Sequence, residues 1–372
     1  MESNSGPLVI GAGPAGLTAA LALAQRGVTP RVYEAAGHVG GLARTTRDGA
    51  WLIDPGGHRF FTKSEEVLAL WRSLLGPDEW ISVQRRSAML IDGHYVRYPL
   101  AGPDLLTQLG MLRGLRGLAS FLRSRLRGGT GATGDSTNFR DWGTAEFGRY
   151  WYEVFFDCYV RKTWLVDPQD ITSQWANQRI RPITWRRSDF RRQAADVFRY
   201  PRLGPGQLWE AAAATLVDMG VVPSMNSHVD EVRFTDGAWT VTLGNGTTAS
   251  GDAVFSSMPL RVLVQCLQPA PPQHILATAA ALKHRALITV AVAVEGRHHI
   301  PYNWVYTPGN DFRVGRIQNY GQWSSALSPA DWEGTYLGLE YFTNPHDELW
   351  TASAHELEEV VARDLGTLGL TG

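Results

Sequence analysis

The 372-residue chain is 44% hydrophobic and 19% charged with a formal net charge of -1, so no global basic field recommends nucleic acid as a partner. Its two cysteines, Cys158 and Cys266, are too few for a disulfide framework or a thiolate metal site, and a reducing cytoplasm is the simplest home. The length exceeds the ~250 to 300 residues at which a single core stops growing, so two domains are expected.

The chain opens with MESNSGPLVIGAGPAGLTAALALAQRG. The apolar run at 8–24 follows no basic residue and is broken by glycines, so it reads as folded structure and not as a signal peptide. No stretch reaches the ~18 to 20 apolar residues that span a bilayer. A strand at 8–10, a glycine turn, a helix ending before Gly27 and a second strand, PRVYE, follow the order of a dinucleotide-binding unit. In GAGPAG, Gly11 permits the tight turn, Gly13 lets backbone approach a pyrophosphate, and Gly16 lets the helix pack on the strand. With Pro14 and Ala15 opening the helix, the phosphates meet amide donors at its positive end. Glu34 can accept ribose hydroxyls and would repel a ribose phosphate, which favours FAD or NAD over NADP. HVGGLARTT separates these two. Gly40, Gly41 and Leu42 let extended backbone run beside the pyrophosphate, and Arg44 can neutralise it, which a dehydrogenase binding only nicotinamide does not need. An Arg-capped surface turn is the plainer alternative.

WLIDPGGHRFFTK then sets Gly56 and Gly57 where bare backbone can lie against a ligand. His58 can tune a ring or move a proton, Arg59 is its polar neighbour, and Phe60 and Phe61 are expected to anchor the segment in the core. From about residue 80 to 201 the pattern reads as helical and rich in aromatics and arginines. Within it, 105–129 interleaves leucines with five arginines between Arg113 and Arg127. Such a helix can lie on a membrane surface, but one with its apolar side packed inward accounts for the pattern as well, and membrane contact is not the expected outcome.

GPGQLWEAAAATLVDMG reads as a helix after a glycine turn. HVDEVRF, AWTVTL and GDAVFSS follow as a β-meander divided by the turn pairs Asp236-Gly237 and Asn245-Gly246. LITVAVAVE and TYLGLEYF are strands. The last helix opens on a capping box, Ser353 with Glu356, and places Leu357, Val360, Val361, Leu365 and Leu368 on one face.

Together, GAGPAG, Glu34 with Gly40-Gly41, and DPGGHRFF resemble the glutathione-reductase-like FAD superfamily, in the branch of monoamine oxidase, protoporphyrinogen oxidase, phytoene desaturase and UDP-galactopyranose mutase. The later segments NWVYTPGNDFRVGRIQNYGQWS and LGLEYF resemble a group of bacterial FAD oxidoreductases. The resemblance implies an α/β fold: a Rossmann-like FAD-binding domain of parallel sheet plus β-meander (1–80 and 202–265) with an interleaved α+β substrate domain (81–201 and 266–372). It implies that Val229 holds the adenine through its backbone and that His58 faces the isoalloxazine. YVRKTWLVDPQDITSQWANQRIRPI resembles a mutase segment, which implies that Tyr159 and Trp164 line a nucleotide or sugar pocket and that Arg179 faces a pyrophosphate. Packing roles for Trp164 and Trp175 and a surface ion pair for Arg179 are the alternatives. Members of the superfamily usually return to the flavin through a C-terminal Gly-Arg or Gly-Asp segment, which a sequence ending in LGTLGLTG does not display.

The expected activity is hydride acceptance by FAD from a small organic substrate: an amine, a sugar or nucleotide-sugar, or a porphyrinogen-like molecule. A flavin carries that chemistry itself, so few catalytic side chains are required, and His58 and Arg59 are the candidates. Two other readings stand beside it: a mutase-like, flavin-dependent isomerase of a nucleotide sugar, and a non-catalytic flavin-fold scaffold completed by another chain. No metal is expected, and nothing in the sequence specifies an oligomer.

Overall fold

The computed structural model describes residues 6–126, 138–174, 180, 197–296 and 298–370. The chain divides into two compact units, Met1–Ile81 with Arg199–Lys283, and Ser82–Phe198 with His284–Gly372.

The first unit is built on a parallel sheet. Strand β1 (Leu8–Ile10) lies between β2 (Arg31–Tyr33) and the strand Val254–Ser256, and helix α1 (Pro14–Ala24) connects β1 to β2. A strand covered on both faces needs apolar residues without alternation, and all three of β1 are buried. Successive side chains point to opposite faces. Val9 therefore joins Leu17, Leu21, Leu208 and Leu216 under α1 and the helix Gly206–Asp218, while Leu8 and Ile10 join Val229, Val232 and Val241 on the other side. Those valines belong to an antiparallel meander, Val229–Thr235, Ala238–Leu243 and Thr248–Gly251. Its first turn is Asp236-Gly237, both residues at positive φ, as a two-residue hairpin of that hand requires. The expected third strand of the meander, GDAVFSS, is divided differently: Thr248–Gly251 closes the meander, and Val254–Ser256 pairs in parallel with β1.

The second unit carries a six-stranded sheet in the order Ala286–Glu295, Gly334–Thr343, Arg316–Asn319, Trp304–Tyr306, Ser87–Ile91, His94–Tyr98. The stretch from residue 80 thus opens with strands where helices are expected. Asp92-Gly93, again both at positive φ, turns Ser87–Ile91 into His94–Tyr98. The helices Met111–Leu126, Phe139–Phe147, Arg149–Tyr152 and Cys158–Trp164 follow, with a π-helical turn at Glu153–Asp157. Phe139, Trp142, Phe147, Trp151, Phe155 and Phe156 form their shared core with Met89 and Val96 of the sheet. The terminal helix Ala354–Thr367 starts on the Ser353/Glu356 capping box and packs Leu357, Val361 and Leu365 against Val305, Ile317 and Leu339. Its buried Asp364 carboxylate accepts from the backbone N–H of Arg313 (2.9 Å) and Val314 (2.7 Å), which ties the helix to the loop before Arg316.

Candidate functional site

A cavity of about 770 Å3 in the first unit opens at the C-terminal ends of β1, β2 and Val254–Ser256. That end of a parallel sheet is where dinucleotides bind. Gly11, Gly13, Pro14 and Ala15 form one wall, Gly41 and Leu42 another, and Glu34, His58 and Val229 complete it. No side chain caps the N-terminus of α1, whose N-cap is Gly13, so the first-turn amides are left for an anion. The two glycine loops meet backbone to backbone. Gly40 N–H donates to the Ala12 carbonyl (2.9 Å), and a Cβ on Gly41 would stand 3.2 Å from the Gly13 Cα. An uncapped helix end beside bare backbone and a large void fits a pyrophosphate-linked cofactor.

Glu34 leaves β2 directly into this wall. Its carboxylate accepts from the backbone N–H of Ala12 (2.6 Å) and Ala36 (2.9 Å), so the glycine turn itself fixes the acid at the cavity. Gly16, Arg44, Gly56 and Gly57 are not among the residues that line the cavity. A Cβ on Gly16 would overlap the Gly11 carbonyl oxygen, so that glycine serves the packing of helix on strand. The Arg44 guanidinium donates to the Gly41 carbonyl (3.2 Å). Sequence reasoning missed Tyr33, Ser227, Ser257, Met258 and Val262, which also line the cavity. Placing GDAVFSS in the meander concealed the last three, because only a strand beside β1 delivers its following residues to this end of the sheet.

The DPGGHRFF segment is held from behind by Asp54. This carboxyl is 1% exposed and accepts from Tyr200 Oη and from Thr45 Oγ1 (3.0 Å). Burial pushes its pKa up to about 7 against the opposing pull of those two hydroxyls. Thr45 Oγ1 also accepts from Gly206 N–H (3.0 Å), so one acid gathers the strap, the second glycine loop and the turn before the helix Gly206–Asp218. His58 reaches the cavity wall with Nδ1 2.9 Å from the Gly56 carbonyl oxygen. A carbonyl only accepts, so Nδ1 carries the hydrogen. Arg59 is exposed. Phe60 is buried edge-on to Trp71 (5.1 Å) and Trp80 (5.4 Å), but Phe61 is 61% exposed and anchors nothing, because successive residues of this extended segment face opposite ways.

A second constellation lies in the second unit. Tyr306, Arg316 and Glu340 are cross-strand neighbours in one line over three strands. Glu340 is fully buried and accepts from Arg316 Nε (2.7 Å) and from the Gln318 amide. Burial works against the Arg316 charge, and Glu340 more than reverses that, leaving the guanidinium pKa above its ordinary value. Tyr159 sets its ring edge-on to Tyr306 at 5.5 Å, and burial pushes its phenol well above the usual tyrosine range. Trp164 offers its face to Arg285, whose guanidinium lies 4.9 Å from the Trp164 ring and 5.0 Å from the Phe342 ring. Between Tyr159 and Trp164, Lys162 turns away and donates to the carbonyls of Thr307 (2.7 Å) and Phe312 (2.8 Å). Arg179 and Trp175 lie outside the described residues. Sequence reasoning missed Arg285, Tyr306, Arg316 and Glu340. The one local signal was an ionisable residue, Glu340, inside the apolar strand LGLEYF.

A parallel sheet with a glycine-turn helix, a fixed acid and an appended meander defines a dinucleotide-binding flavoprotein fold. The chain belongs to the flavin-containing amine oxidoreductase family, whose sequence profile matches residues 14–368, and its cofactor is FAD. The fold is similar to that of reduced UDP-galactopyranose mutase (TM-score 0.84, 22% identity, covering 99% of this chain and 80% of that one). It is also similar to a protoporphyrinogen oxidase candidate from Exiguobacterium (TM-score 0.74, 15% identity, covering 100% and 84%). A redesigned putrescine oxidase follows (TM-score 0.64, 16% identity, covering 97% and 81%). No curated protein matches the sequence significantly.

Proposed function

We propose that this flavoprotein is an oxidoreductase that takes a hydride from a small, hydroxylated, anionic substrate of the sugar or nucleotide-sugar kind. The supporting observation is the polar line Tyr306, Arg316, Glu340 with Tyr159 and Arg285 beside it. Two guanidinium groups face one carboxylate, so the cluster is net positive. Among the described residues its one acid is already taken by Arg316 and Gln318, which disfavours an ammonium substrate there. The buried Tyr159 phenol keeps its proton through neutral pH and acts as a hydrogen-bond donor to substrate oxygen. Planar guanidinium forks match phosphate or carboxylate.

FAD, when bound, supplies the hydride acceptor. In this reading the chain's own residues do the rest. The first-turn amides of α1 receive the pyrophosphate, Glu34 the ribose hydroxyls, and the Val229 backbone the adenine. His58, its Nδ1 hydrogen donated to Gly56, stands at the cavity wall as the candidate proton acceptor. The likeness to UDP-galactopyranose mutase at a TM-score of 0.84 favours a second reading, isomerisation of a nucleotide sugar without net redox change on the same polar face.

Anaerobic mixing of FAD-loaded protein with UDP-sugars, simple sugar acids and putrescine distinguishes them. Bleaching of the flavin band by a sugar or nucleotide sugar, with none by putrescine, is expected. Bleaching by putrescine alone overturns the substrate class, and a furanose product formed from UDP-galactopyranose only under dithionite selects the isomerase.

A further inference from the structure

The helix Met111–Leu126 inverts the usual placement of an amphipathic helix. At about 100° per residue, Met111, Leu115, Leu122 and Leu126 fall within an arc of about 60°, with Leu112 at its edge. That arc faces solvent: the five side chains are 72%, 52%, 51%, 88% and 84% exposed in that order. The side packed on the unit is made mostly of small residues, with Phe121 half-buried among them. Gly114 and Gly117 are buried, and a Cβ on Gly117 would overlap the Trp151 indole. Tyr150 N–H donates to Ser120 Oγ (3.0 Å), and Ser124 Oγ donates to the Ala145 carbonyl (2.9 Å). Glycines and serines, with the half-buried Phe121 among them, therefore hold the helix in place, and the apolar arc stays on its exposed side. The expectation of an apolar side turned inward is reversed.

Charge says what covers the stripe. By the same helical geometry, Arg116 and Arg123 border it on one side and Arg125 on the other, and the helix contains neither Asp nor Glu. Arg113 pairs with Asp92 and Arg125 with Glu146, whereas Arg116 lies over the Tyr150 ring at 5.0 Å, and Arg116 and Arg123 are exposed. An apolar arc rimmed by arginines is the pattern that lies in the headgroup region of an anionic bilayer. A second copy of the chain docked about a two-fold axis on this stripe would set arginine against arginine, with no acid on the helix to answer. No described helix is long and apolar enough to cross a membrane, so the contact is peripheral.

We propose that Met111–Leu126 docks this flavoprotein on an anionic lipid surface, its leucines at the acyl boundary and its arginines at the phosphates. The proposal is independent of which substrate the flavin site takes. The test is flotation of the full FAD-loaded chain with vesicles of phosphatidylglycerol and phosphatidylcholine, against vesicles of phosphatidylcholine alone. Binding to the anionic vesicles, weakened at least tenfold by Leu112→Ser/Leu115→Ser/Leu122→Ser, and weakened separately by Arg116→Glu/Arg123→Glu or by high salt, is expected. All five positions are exposed, so circular dichroism and flavin absorbance should match the unaltered protein. Three results would overturn the idea: no flotation at any anionic fraction, flotation undiminished in the serine variant, or a dimer in light scattering that the serine substitutions convert to monomer.

Discussion

Two carboxyls of the first unit have opposite requirements, and each predicts a different measurement. Glu34 stands at the cavity wall, held by two backbone amides. Glu34→Ala removes the proposed acceptor for the ribose and frees the Ala12 amide, and each hydrogen bond lost to a carboxylate is worth about 1.5 to 3 kcal/mol. FAD affinity is expected to fall at least about tenfold in a fluorescence titration of apoprotein. Asp54 is buried, with its pKa raised to about 7, so it holds its proton in the folded state over a range where the unfolded chain has released it. Between about pH 4 and 7 the native state binds the extra proton, and stability falls as pH rises through that window and levels off above it. Asp54→Asn keeps a group able to bond Tyr200 and Thr45 without a charge to bury. Its chemical denaturation should lose that slope, and the variant should gain on the parent by up to a few kcal/mol above pH 7. A parallel pH dependence in parent and variant would show that Asp54 is not the group responsible.

At the level of elements, the glycine loop shows how one motif divides its labour. A Cβ on Gly13 would meet only the Gly41 backbone, its Cα at 3.7 Å and N at 4.0 Å, ordinary contacts, and its φ of -76° suits any residue. Gly13→Ala should therefore fold with an unchanged Tm and bind FAD more weakly, because the added methyl occupies the proposed approach of the pyrophosphate. Gly16→Ala drives its methyl into the Gly11 carbonyl and should lower Tm and flavin content together. Equal effects of the two in calorimetry would contradict this division. The loop was legible in the sequence because each of its requirements is local: a turn, a bare approach, a helix start and an acid at the end of β2. Val254–Ser256 was not, since a three-residue buried run has no period that distinguishes a parallel partner of β1 from one more hairpin strand. Arg316 and Glu340 stand 24 positions apart, and only the register of two strands makes them neighbours. The exposed leucines of Met111–Leu126 were ambiguous for a related reason. Periodicity shows that a helix has an apolar side, and only its packing shows which side the glycines claim.

At the scale of the whole molecule, each unit has its own hydrophobic clusters, and the described residues that line the proposed flavin cavity all belong to the first unit. A ligand stabilises what it binds by mass action, so FAD at a hundredfold over its Kd adds about 2.7 kcal/mol to the structure that forms the cavity. For a unit of this size that corresponds to a rise of roughly 5 to 10 °C in its melting transition. The gain should be local as well. On FAD addition, hydrogen exchange is expected to slow in the peptides around 8–16, 33–44 and 254–262, which supply the cavity wall. The ladder between Ala286–Glu295 and Gly334–Thr343 already satisfies its own backbone through ten paired positions and supplies none of the described residues that line the cavity, so its exchange should not change. Protection that rose in this ladder as much as in the glycine loops would mean that the flavin is held by more of the chain than the first unit's cavity.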